Sequence, residues 1–437
     1  MWLLAGQKAP DHSTIARFRT GFLLEACEDL FYQMVRRLKD AAELSVETVF
    51  IDGTKLEACA NKYTFVWKKS VGKWEEKMFQ KIQEAVMLLN HEYMQSFSVK
   101  IDSRIQDLQI ITRYLENKCQ QDGTVFVYGR GKRKSKNQKY FELFRKFQER
   151  QVTYDWHTAS FQGRNNYCKT DPDATFMHMK DDHMRNAQLK PGYNIQIGVD
   201  SEYIVATDVF SDRNDVWTLI PFLKTMDEKL GFRYPSVTAD SGYESEEGYT
   251  YLRETRQTPY IKPQTYEKWK RRSFKQDISK RENMAYDAET DVYTCYAQKK
   301  LSPVFVKKQK SKSGYESEVT VYECEDCKDC PHKEKCTRAK GNKRLYVSKS
   351  FLEKRQESYE NILTETGIQY RMNRSIQVEG AFGVLKNDYE FQKFLLRGKT
   401  KVKLEILLLC MGYNLNKLHA KIQNERIGFH LFKVKSA

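Results

Sequence analysis

Three acidic residues stand in settings where carboxylates could bind metal ions. Asp52 and Asp240 each follow a short apolar run typical of a buried strand, and each precedes a glycine-containing turn. Carboxylates at the strand ends of an α/β sheet face the edge where ligands bind. Taken singly, an aspartate before a glycine is more often a turn residue than a catalyst. Two such aspartates together with Glu379, in a segment with helical spacing, favour an acidic metal site.

The residues around Glu379 predict an amphipathic helix. An apolar stripe at helical spacing runs through Val378, Phe382, Leu385 and Tyr389. Glu379 lies about 100° from Val378, at the border of that stripe. Lys386 follows Glu379 by nearly two turns and projects from the same edge, too far away for an ordinary one-turn ion pair. We expect both to face one extended anionic ligand, Glu379 through a metal and Lys386 at a phosphate; the alternative is a solvated helix surface.

A group of cysteines suggests a second metal site. The chain has ten cysteines, of which Cys324, Cys327, Cys330 and Cys336 fall within thirteen residues. This crowding indicates metal ligation in a reducing compartment rather than a disulfide framework. Thiolates at such intervals usually bind structural zinc. An iron–sulfur cluster and free thiols are the alternatives.

The elements that must position these residues follow an interrupted α/β order. Residues 1–44 read as helical, with Ser13 as a helix N-cap, and a strand covers residues 48–51. A long charged helical stretch follows, and strands are predicted at residues 192–199, 203–210, 237–239 and 259–261, with a helix at 214–230. From residue 263 to about 346 the pattern breaks up, so no strand or helix is predicted there. A helical part that contains an apolar helix at residues 404–415 ends the chain.

The charge of the chain favours a polyanionic partner. Lys and Arg total 74 against 58 Asp and Glu, a formal net charge of +16. Residues 130–139 hold six basic residues and no acid, among them Lys132, Arg133 and Lys134. Such patches suit nucleic acid, and a solvated surface with ordinary lysine excess is the alternative. The apolar run at residues 406–411 is far short of a membrane span and no signal peptide is visible, so we expect an intracellular protein with no membrane partner.

Several blocks of the chain resemble bacterial insertion-sequence DDE transposases. The three main blocks are Phe50-Ile51-Asp52-Gly53-Thr54-Lys55, Thr238-Ala239-Asp240-Ser241-Gly242-Tyr243 and the segment from Val378 to Lys386. Further blocks are Pro10-Asp11-His12-Ser13-Thr14 with Arg17-Phe18-Arg19, Gly192-Tyr193-Asn194-Ile195-Gln196, and Leu396-Arg397-Gly398 with Asn414-Leu415. Their number and their order along nearly the whole chain make coincidence a poor explanation.

The resemblance implies a fold, an activity and partners. The fold would be α/β, an RNase H-like mixed sheet flanked by helices and interrupted by a helical insertion and a Cys-rich insertion. Asp52, Asp240 and Glu379 would hold two Mg²⁺ (or Mn²⁺) ions for cleavage and strand transfer of an insertion sequence. The partner would be double-stranded DNA, as transposon ends and target, bound by a homodimer in the cytoplasm, associated with the nucleoid.

Residue-level matches to the family are uneven. Relatives carry a Tyr-x₂-Arg-x₃-Glu-x₆-Lys signature, and here only the spacing from Glu379 to Lys386 agrees. Lys386 is therefore assigned to a DNA phosphate, and Arg374 more weakly, because a residue five positions before Glu379 would not share its face on a straight helix. Relatives also place a cysteine ahead of a Cys-x₂-Cys-Pro-x₄-Cys run, which suggests a zinc quartet of Cys295, Cys327, Cys330 and Cys336 with Cys324 spare.

The predicted domains follow from this alignment of blocks. They are an amino-terminal helical, DNA-binding segment (1–44), a first core strand (45–64), a helical insertion (65–165), the catalytic core (166–262), the Cys-rich insertion (263–346) and carboxy-terminal core helices (347–437). Relatives have more helical turns before the equivalent of Trp2-Leu3-Leu4, so we expect the chain to begin inside that first domain. The alternatives are a catalytically inactive, transposase-derived DNA-binding protein and a metal-dependent nuclease.

Overall fold

The structure of the chain is a computed structural model that describes residues 10–179 and 188–430. The expectation about Trp2-Leu3-Leu4 lies outside these residues. The helices are α1 His12–Gly21, α2 Leu23–Asp40, α3 Lys68–Tyr93, α4 Arg104–Gln121, α5 Lys136–Phe161, α6 Leu219–Leu230, α7 Glu246–Glu254, α8 Tyr266–Trp269, α9 Arg272–Lys275, α10 Lys333–Cys336, α11 Lys349–Leu363, α12 Glu365–Arg374, α13 Gly380–Gly383 and α14 Lys399–Gln423. The strands are β1 Thr48–Glu57, β2 Phe65–Trp67, β3 Asn166–Cys168, β4 Thr175–His178, β5 Leu189–Asp200, β6 Tyr203–Phe210, β7 Ser236–Ala239, β8 Thr258–Ile261, β9 Ala285–Asp287, β10 Val292–Thr294, β11 Lys300–Lys310, β12 Glu316–Cys324 and β13 Arg344–Val347.

The chain divides into two compact units, Met1–Leu56 with Tyr193–Ala437, and Glu57–Gly192. In the first unit, a mixed sheet has the strand order β6-β5-β1-β7-β8. Strand β1 is parallel to β7 and β7 to β8, whereas β5 and β6 form an antiparallel hairpin. This mixed sheet with flanking helices is compatible with the RNase H-like fold that the family resemblance implies.

The central strands form because their side chains are apolar on both faces. Val49, Ile51 and Val237 are fully buried, as expected for strands covered by helices on both sides of a sheet. The prediction that the first strand ends before a turn at Gly53 is wrong. Strand β1 continues through Asp52 and Gly53 to residue 57, although its pairing with β7 covers only residues 48–51.

The predicted helices and strands of the first unit are found, β6 with its predicted bounds and the others with shifted ends. Helices α1 and α2 cover most of the first 44 residues, but the N-cap of α1 is Asp11 and not Ser13, because the Asp11 carboxylate accepts a bond from the Thr14 N–H at 2.6 Å. The predicted apolar helix at 404–415 is the middle of the longer α14, whose residues contact α2 and β6. None of the described helices is both long and apolar enough to cross a membrane.

The second unit contains the long helices of the predicted helical insertion. Helices α3, α4 and α5 pack around one apolar core that includes Ile82, Leu108 and Phe144. Its short strands are the antiparallel pair β2 and β3, and β4, which pairs with the first residues of β5. Arg104 of α4 links the three helices, because its guanidinium donates to Glu75 of α3 at 2.7 Å and to Gln151 of α5 at 3.0 Å.

The Cys-rich segment is a sheet, which the sequence analysis did not predict. Strands β9 to β13 form a five-stranded antiparallel sheet in the order β13-β12-β11-β10-β9. It has a small core of its own that includes Tyr293, Leu301 and Tyr322. The pattern escaped detection because β11 exposes ten of its eleven residues, so the apolar alternation that predicts a strand is missing there.

Candidate active site and cysteine cavity

Asp52 and Asp240 lie beside each other at one edge of the first unit's sheet. They directly follow Ile51 and Ala239, which are partners in the parallel pairing of β1 and β7. One oxygen of Asp52 accepts the Gly53 N–H at 2.8 Å, and one oxygen of Asp240 accepts the Gly242 N–H at 2.7 Å. Asp240 thereby caps the short 3₁₀-helix Ser241–Tyr243. Because each backbone bond occupies one carboxylate oxygen, the rotation of both acidic side chains is restricted.

Glu379 is connected to Asp52 through Arg374. The Arg374 guanidinium bonds Asp52 Oδ2 at 3.0 Å, and its other terminal nitrogen lies 3.7 Å from Glu379 Oε1. The Asp52 side chain is 19% exposed, whereas that of Glu379 is 63% exposed. The largely buried guanidinium of Arg374 is thus ion-paired with two of the three predicted acidic residues, Asp52 and Glu379.

The position of Arg374 corrects the reasoning from a straight helix. Residues Ser375–Glu379 form a π-helical segment, in which backbone bonds join residues five apart instead of four. A residue and the fifth residue after it therefore share a face, so Arg374 and Glu379 are brought together. Three residues of the predicted apolar stripe, Val378, Phe382 and Leu385, are buried, whereas the fourth, Tyr389, is half-buried.

Lys386 lies in a second π-helical segment, Val384–Asp388. Its ammonium lies 6.0 Å from the centre of the Phe382 ring. The two π segments interrupt the regular α-helical spacing on which the shared edge of Glu379 and Lys386 was predicted. The assignment of Lys386 to a DNA phosphate stays a prediction.

Four polar residues that were not predicted as part of the site lie beside Gly53 or in the loop that follows Asp240. Asp215 Oδ1 accepts bonds from Asn194 Nδ2 at 2.8 Å and from Gln196 Nε2 at 3.0 Å. Gln196 also donates to Asn194 Oδ1 at 3.1 Å, and its carbonyl oxygen accepts the Tyr243 hydroxyl. We call Asn194, Gln196, Asp215 and Tyr243 the amide cluster. A sequence signal existed: Asn194 and Gln196 are polar residues two apart on one face of β5, and the residues beside them, Tyr193, Ile195 and Ile197, are apolar.

The amide cluster keeps its tyrosine neutral. Burial first, and then the nearby carboxylates of the site, raise the pKa of Tyr243 well above its ordinary value of 10. The hydroxyl therefore remains protonated at physiological pH and acts as a hydrogen-bond donor. Because Tyr243 belongs to the 3₁₀-helix that Asp240 caps, its bond to Gln196 fastens the Asp240 loop to strand β5.

The five cysteines of the predicted zinc site line one small cavity. Its volume is about 20 Å³, room for little more than one water-sized guest. Cys324, which was expected to be spare, lines the cavity together with the predicted quartet of Cys295, Cys327, Cys330 and Cys336. All five thiols are free, and the Lys343 N–H lies 3.4 Å from Cys327 Sγ.

Neither group of predicted ligands forms a ready metal site. Across residues 10–179 and 188–430, no group of three or more His, Cys, Asp or Glu side chains is arranged so that it could hold a metal ion. At the acidic site, Arg374 occupies one oxygen of Asp52 and lies near Glu379.

The predicted basic loop lies in the second unit. Lys132 and Arg133 are exposed in the segment before α5. Lys134 is ion-paired with Glu142, and Lys136, just beyond it, bonds Glu92 at 2.7 Å. The charge that remains available to a polyanion is therefore smaller than the sequence count suggests.

Comparisons with known proteins agree with one part of the chain. A family model described as Transposase DDE domain matches residues 294–419. No curated protein and no solved structure matches the chain. The matched segment contains Glu379 and Lys386, whereas Asp52 and Asp240 precede it. The match supports the predicted resemblance to insertion-sequence DDE transposases, because residues 294–419 are similar to a transposase DDE domain.

Proposed function

We propose that the chain cleaves and rejoins DNA as the transposase of an insertion sequence, with Asp52, Asp240 and Glu379 as its catalytic acids. The observation that carries the proposal is their placement. Two aspartates directly follow the last paired residues of the parallel strands β1 and β7, and Arg374 links the first of them to the glutamate. The match to a transposase DDE domain, which includes Glu379, supports the same assignment.

The donor chemistry at this edge fits a hard divalent cation. Asp52, Asp240 and Glu379 offer carboxylate oxygens, the ligands that Mg²⁺ and Mn²⁺ prefer. Such ions, when bound, activate the attacking water or 3′-hydroxyl and stabilise the leaving oxygen. The chain's own part is to hold the acids: Gly53 and Gly242 each fix one carboxylate oxygen through a backbone N–H.

Arg374 has a role in this proposal that differs from a simple phosphate contact. Its guanidinium and a divalent cation both require the Asp52 carboxylate, so they compete for it. An anionic DNA backbone offers Arg374 an alternative partner. Arg374 would therefore neutralise Asp52 and Glu379 when DNA is absent and bond phosphate when DNA is present.

The test of the proposed function is the Glu379→Gln variant. It keeps the size of the side chain and removes its negative charge. We expect Mg²⁺-dependent cleavage of the element's own ends to fall by orders of magnitude, because a positioned metal supplies several kcal/mol to the transition state. DNA affinity should stay near that of the wild type, since it rests on many phosphate contacts.

A matched control is Glu365→Gln, an exposed glutamate in the first turn of α12. Cleavage by this variant should equal that of the wild type. If Glu379→Gln cleaves as well as Glu365→Gln, Glu379 is only a surface residue and the catalytic assignment fails. If the wild type binds the ends but cleaves under no divalent metal, the alternative of a transposase-derived DNA-binding protein replaces it.

The proposal includes partners and a second metal. The partner is double-stranded DNA, and a homodimer on DNA is the expected assembly. The thiols of the cysteine cavity are not arranged as a ready metal site, but five of them line it, and thiolates are the ligands that hold zinc or an iron–sulfur cluster. We therefore propose that a thiophilic structural metal draws these thiols together when it binds. In either case the metal would stabilise the five-stranded sheet that presents nearby lysines.

Metal analysis distinguishes these outcomes. Protein purified without chelator should contain about one zinc per chain and no visible absorption, whereas an iron–sulfur cluster would give iron and colour. Changing Cys327 and Cys330 together to Ser should abolish the bound metal. Cys410 is a buried cysteine of α14 that does not line the cavity, so Cys410→Ser should leave the metal content unchanged. Metal content equal to background in the wild type would exclude this part of the proposal.

A further inference from the structure

The amide cluster fills the space beside Gly53, and Asp240 together with Asp215 fills the space beside Gly242. A Cβ at Gly53 would lie 2.9 Å from Asp215 Oδ1 and closer still to Gln196 Nε2. A Cβ at Gly242 would lie 2.9 Å from Asp240 Oδ1 and 3.4 Å from Asp215 Oδ2. Both glycines have ordinary backbone angles, so neither is required by a left-handed conformation. The glycine after each catalytic aspartate is therefore explained by close packing.

Asp215 is the residue on which the cluster depends. Its Oδ1 is the common acceptor for the amide groups of Asn194 and Gln196. Gln196 is fully buried, and both hydrogens of its amide are used, one toward Asp215 and one toward Asn194. Without Asp215, buried N–H groups would lose their acceptor, which costs about 1–3 kcal/mol each. The cluster would then rearrange rather than remain in place.

The bonds of the cluster join the segments that carry the acids. Asn194 and Gln196 belong to β5, Asp215 begins the 3₁₀-helix Asp215–Trp217, and Tyr243 belongs to the Asp240 loop. The cluster packs directly against Gly53, the neighbour of Asp52. Asp215 Oδ2 is turned toward Gly242, on the side where Asp240 Oδ1 lies. One carboxylate thus stands against the backbone beside both aspartates.

We propose that Asp215 is a positioning residue for the Asp52 and Asp240 pair, acting through the amide cluster. The inference rests on the proposed function and adds to it a residue outside the acidic triad. Asp215 holds Gln196 and Asn194 in one orientation, Gln196 holds Tyr243, and Tyr243 fixes the loop of Asp240. The same contacts set the position of the backbone beside Asp52.

The experiment compares Asp215→Ala and Asp215→Asn with the wild type. Asp215→Ala should lower the cleavage rate at saturating DNA and Mg²⁺ about a hundredfold, the loss expected when reacting groups shift by about 1 Å. Asp215→Asn keeps an oxygen that can accept both amides, so its loss should be about tenfold. The KM for DNA should change less than about twofold. Calorimetric titration with Mn²⁺ alone should show weaker binding in the same order.

The control is Asp200→Asn, a buried strand-end aspartate at the opposite edge of the same sheet. It should lower the denaturant midpoint yet leave the cleavage rate of the folded protein and its Mn²⁺ affinity within about threefold of the wild type. If Asp215→Ala cleaves and binds Mn²⁺ like the wild type, the positioning role is overturned while the proposed function stands. If the wild type neither cleaves nor binds Mn²⁺, the proposed function is overturned, and the positioning role with it.

A second variant approaches the cluster from the glycine side. Gly53→Ala places a methyl group against Gln196 and Asp215 and should lower cleavage to the level of Asp215→Ala. Gly412→Ala in α14, where a Cβ meets nothing within 4 Å, is its control and should cleave normally. Full cleavage by folded Gly53→Ala would contradict the close packing on which the inference depends.

Discussion

The two edges of the first unit's sheet each carry aspartates, but the surroundings of those aspartates differ. At the amino-terminal edge of the parallel strands, Asp200 is 1% exposed and accepts bonds from the Ser45 and Val46 N–H groups and from the Tyr234 hydroxyl. At the carboxyl-terminal edge, Asp52 is 19% exposed and bonds a guanidinium. Neutral donors surround the first carboxylate on all sides, whereas the second remains open to solvent on one side.

This difference separates a structural acid from a candidate catalytic acid. The oxygens of Asp200 accept bonds from residues that precede β1 and from Tyr234, which precedes β7. Its carboxylate is therefore engaged in holding these two segments together and is not available to a ligand. Asp52 and Asp240 each use one oxygen on a backbone N–H and stand beside a second acid. Carboxylates that converge in a partly exposed edge repel one another, and a cation relieves that repulsion. Arg374 provides such a cation in the structure.

The largest expected effect comes from making the same change at both edges. Asp52→Asn should reduce metal-dependent cleavage by about a thousandfold or more, because a metal-facing charge is lost. Asp200→Asn should leave cleavage per folded molecule within about threefold but lower the free energy of unfolding by about 2 kcal/mol, since an amide N–H would face buried donors. Cleavage assays on radiolabelled ends and urea unfolding measure the two quantities. Equal losses of cleavage in both variants would erase the distinction between the edges.

The sequence located this carboxyl-terminal edge but not how it is built. Asp52 and Asp240 were found because apolar runs precede them, and runs of that kind form central parallel strands. The length of β1 was missed because Gly53 reads as a turn residue, although here it is a packing requirement imposed by Gln196 and Asp215. Asp215 itself could not be found, since only the fold brings residue 215 to residues 194 and 196.

Helix irregularity limited the prediction at Glu379. Positions were assigned on a straight α-helix, on which Arg374 is excluded from the Glu379 face. No sequence rule indicates where an α-helix will insert a π turn, yet that turn brings the two side chains together. The Cys-rich sheet was not predicted for another reason. Its longest strand, β11, is exposed and charged, so it lacks the alternation of apolar and polar residues that predicts a strand.

The amino-terminal edge also contains a buried ion pair whose pH dependence can be measured. Glu43 is fully buried and accepts bonds from the Gly428 N–H, the Tyr203 hydroxyl and the Lys421 ammonium. Burial by itself raises the pKa of Glu43, but these bonds outweigh it and hold the pKa below its ordinary value of 4.5. A lowered carboxyl pKa stabilises the fold above pH 4.5, and that contribution is lost as the pH falls through the folded-state pKa.

We therefore expect Glu43→Gln to be less stable than the wild type at pH 7, by about 3 kcal/mol, because it leaves Lys421 buried without its partner. The difference in unfolding free energy should shrink as the pH is lowered from 4.5 toward 3. Urea unfolding of both proteins across that range measures it. A difference that is constant with pH would show that Glu43 is not ionised in the folded protein. Cleavage at pH 7 should be unaffected, in contrast to changes at the carboxyl-terminal edge.

The smallest expected effect lies outside both edges, in the basic loop of the second unit. Changing Lys132, Arg133 and Lys134 together to Ala should weaken DNA binding about tenfold at moderate salt, equally for specific and unrelated sequences, because phosphate contacts carry no sequence information. Lys134 is already paired with Glu142, so the slope of log affinity against log salt should fall by about two rather than three. The matched control is Lys136→Ala, since Lys136 is also exposed but is bonded to Glu92 and should contribute less than Lys132 or Arg133. Cleavage by the triple variant at saturating DNA should equal that of the wild type. The three substitutions remove positive charge expected to contact DNA phosphates and leave the acidic residues at the carboxyl-terminal edge intact. If the triple variant loses cleavage at saturation, or alters sequence preference, the loop takes part in the site itself, and the comparison of the two sheet edges is an incomplete account of where the chemistry is controlled.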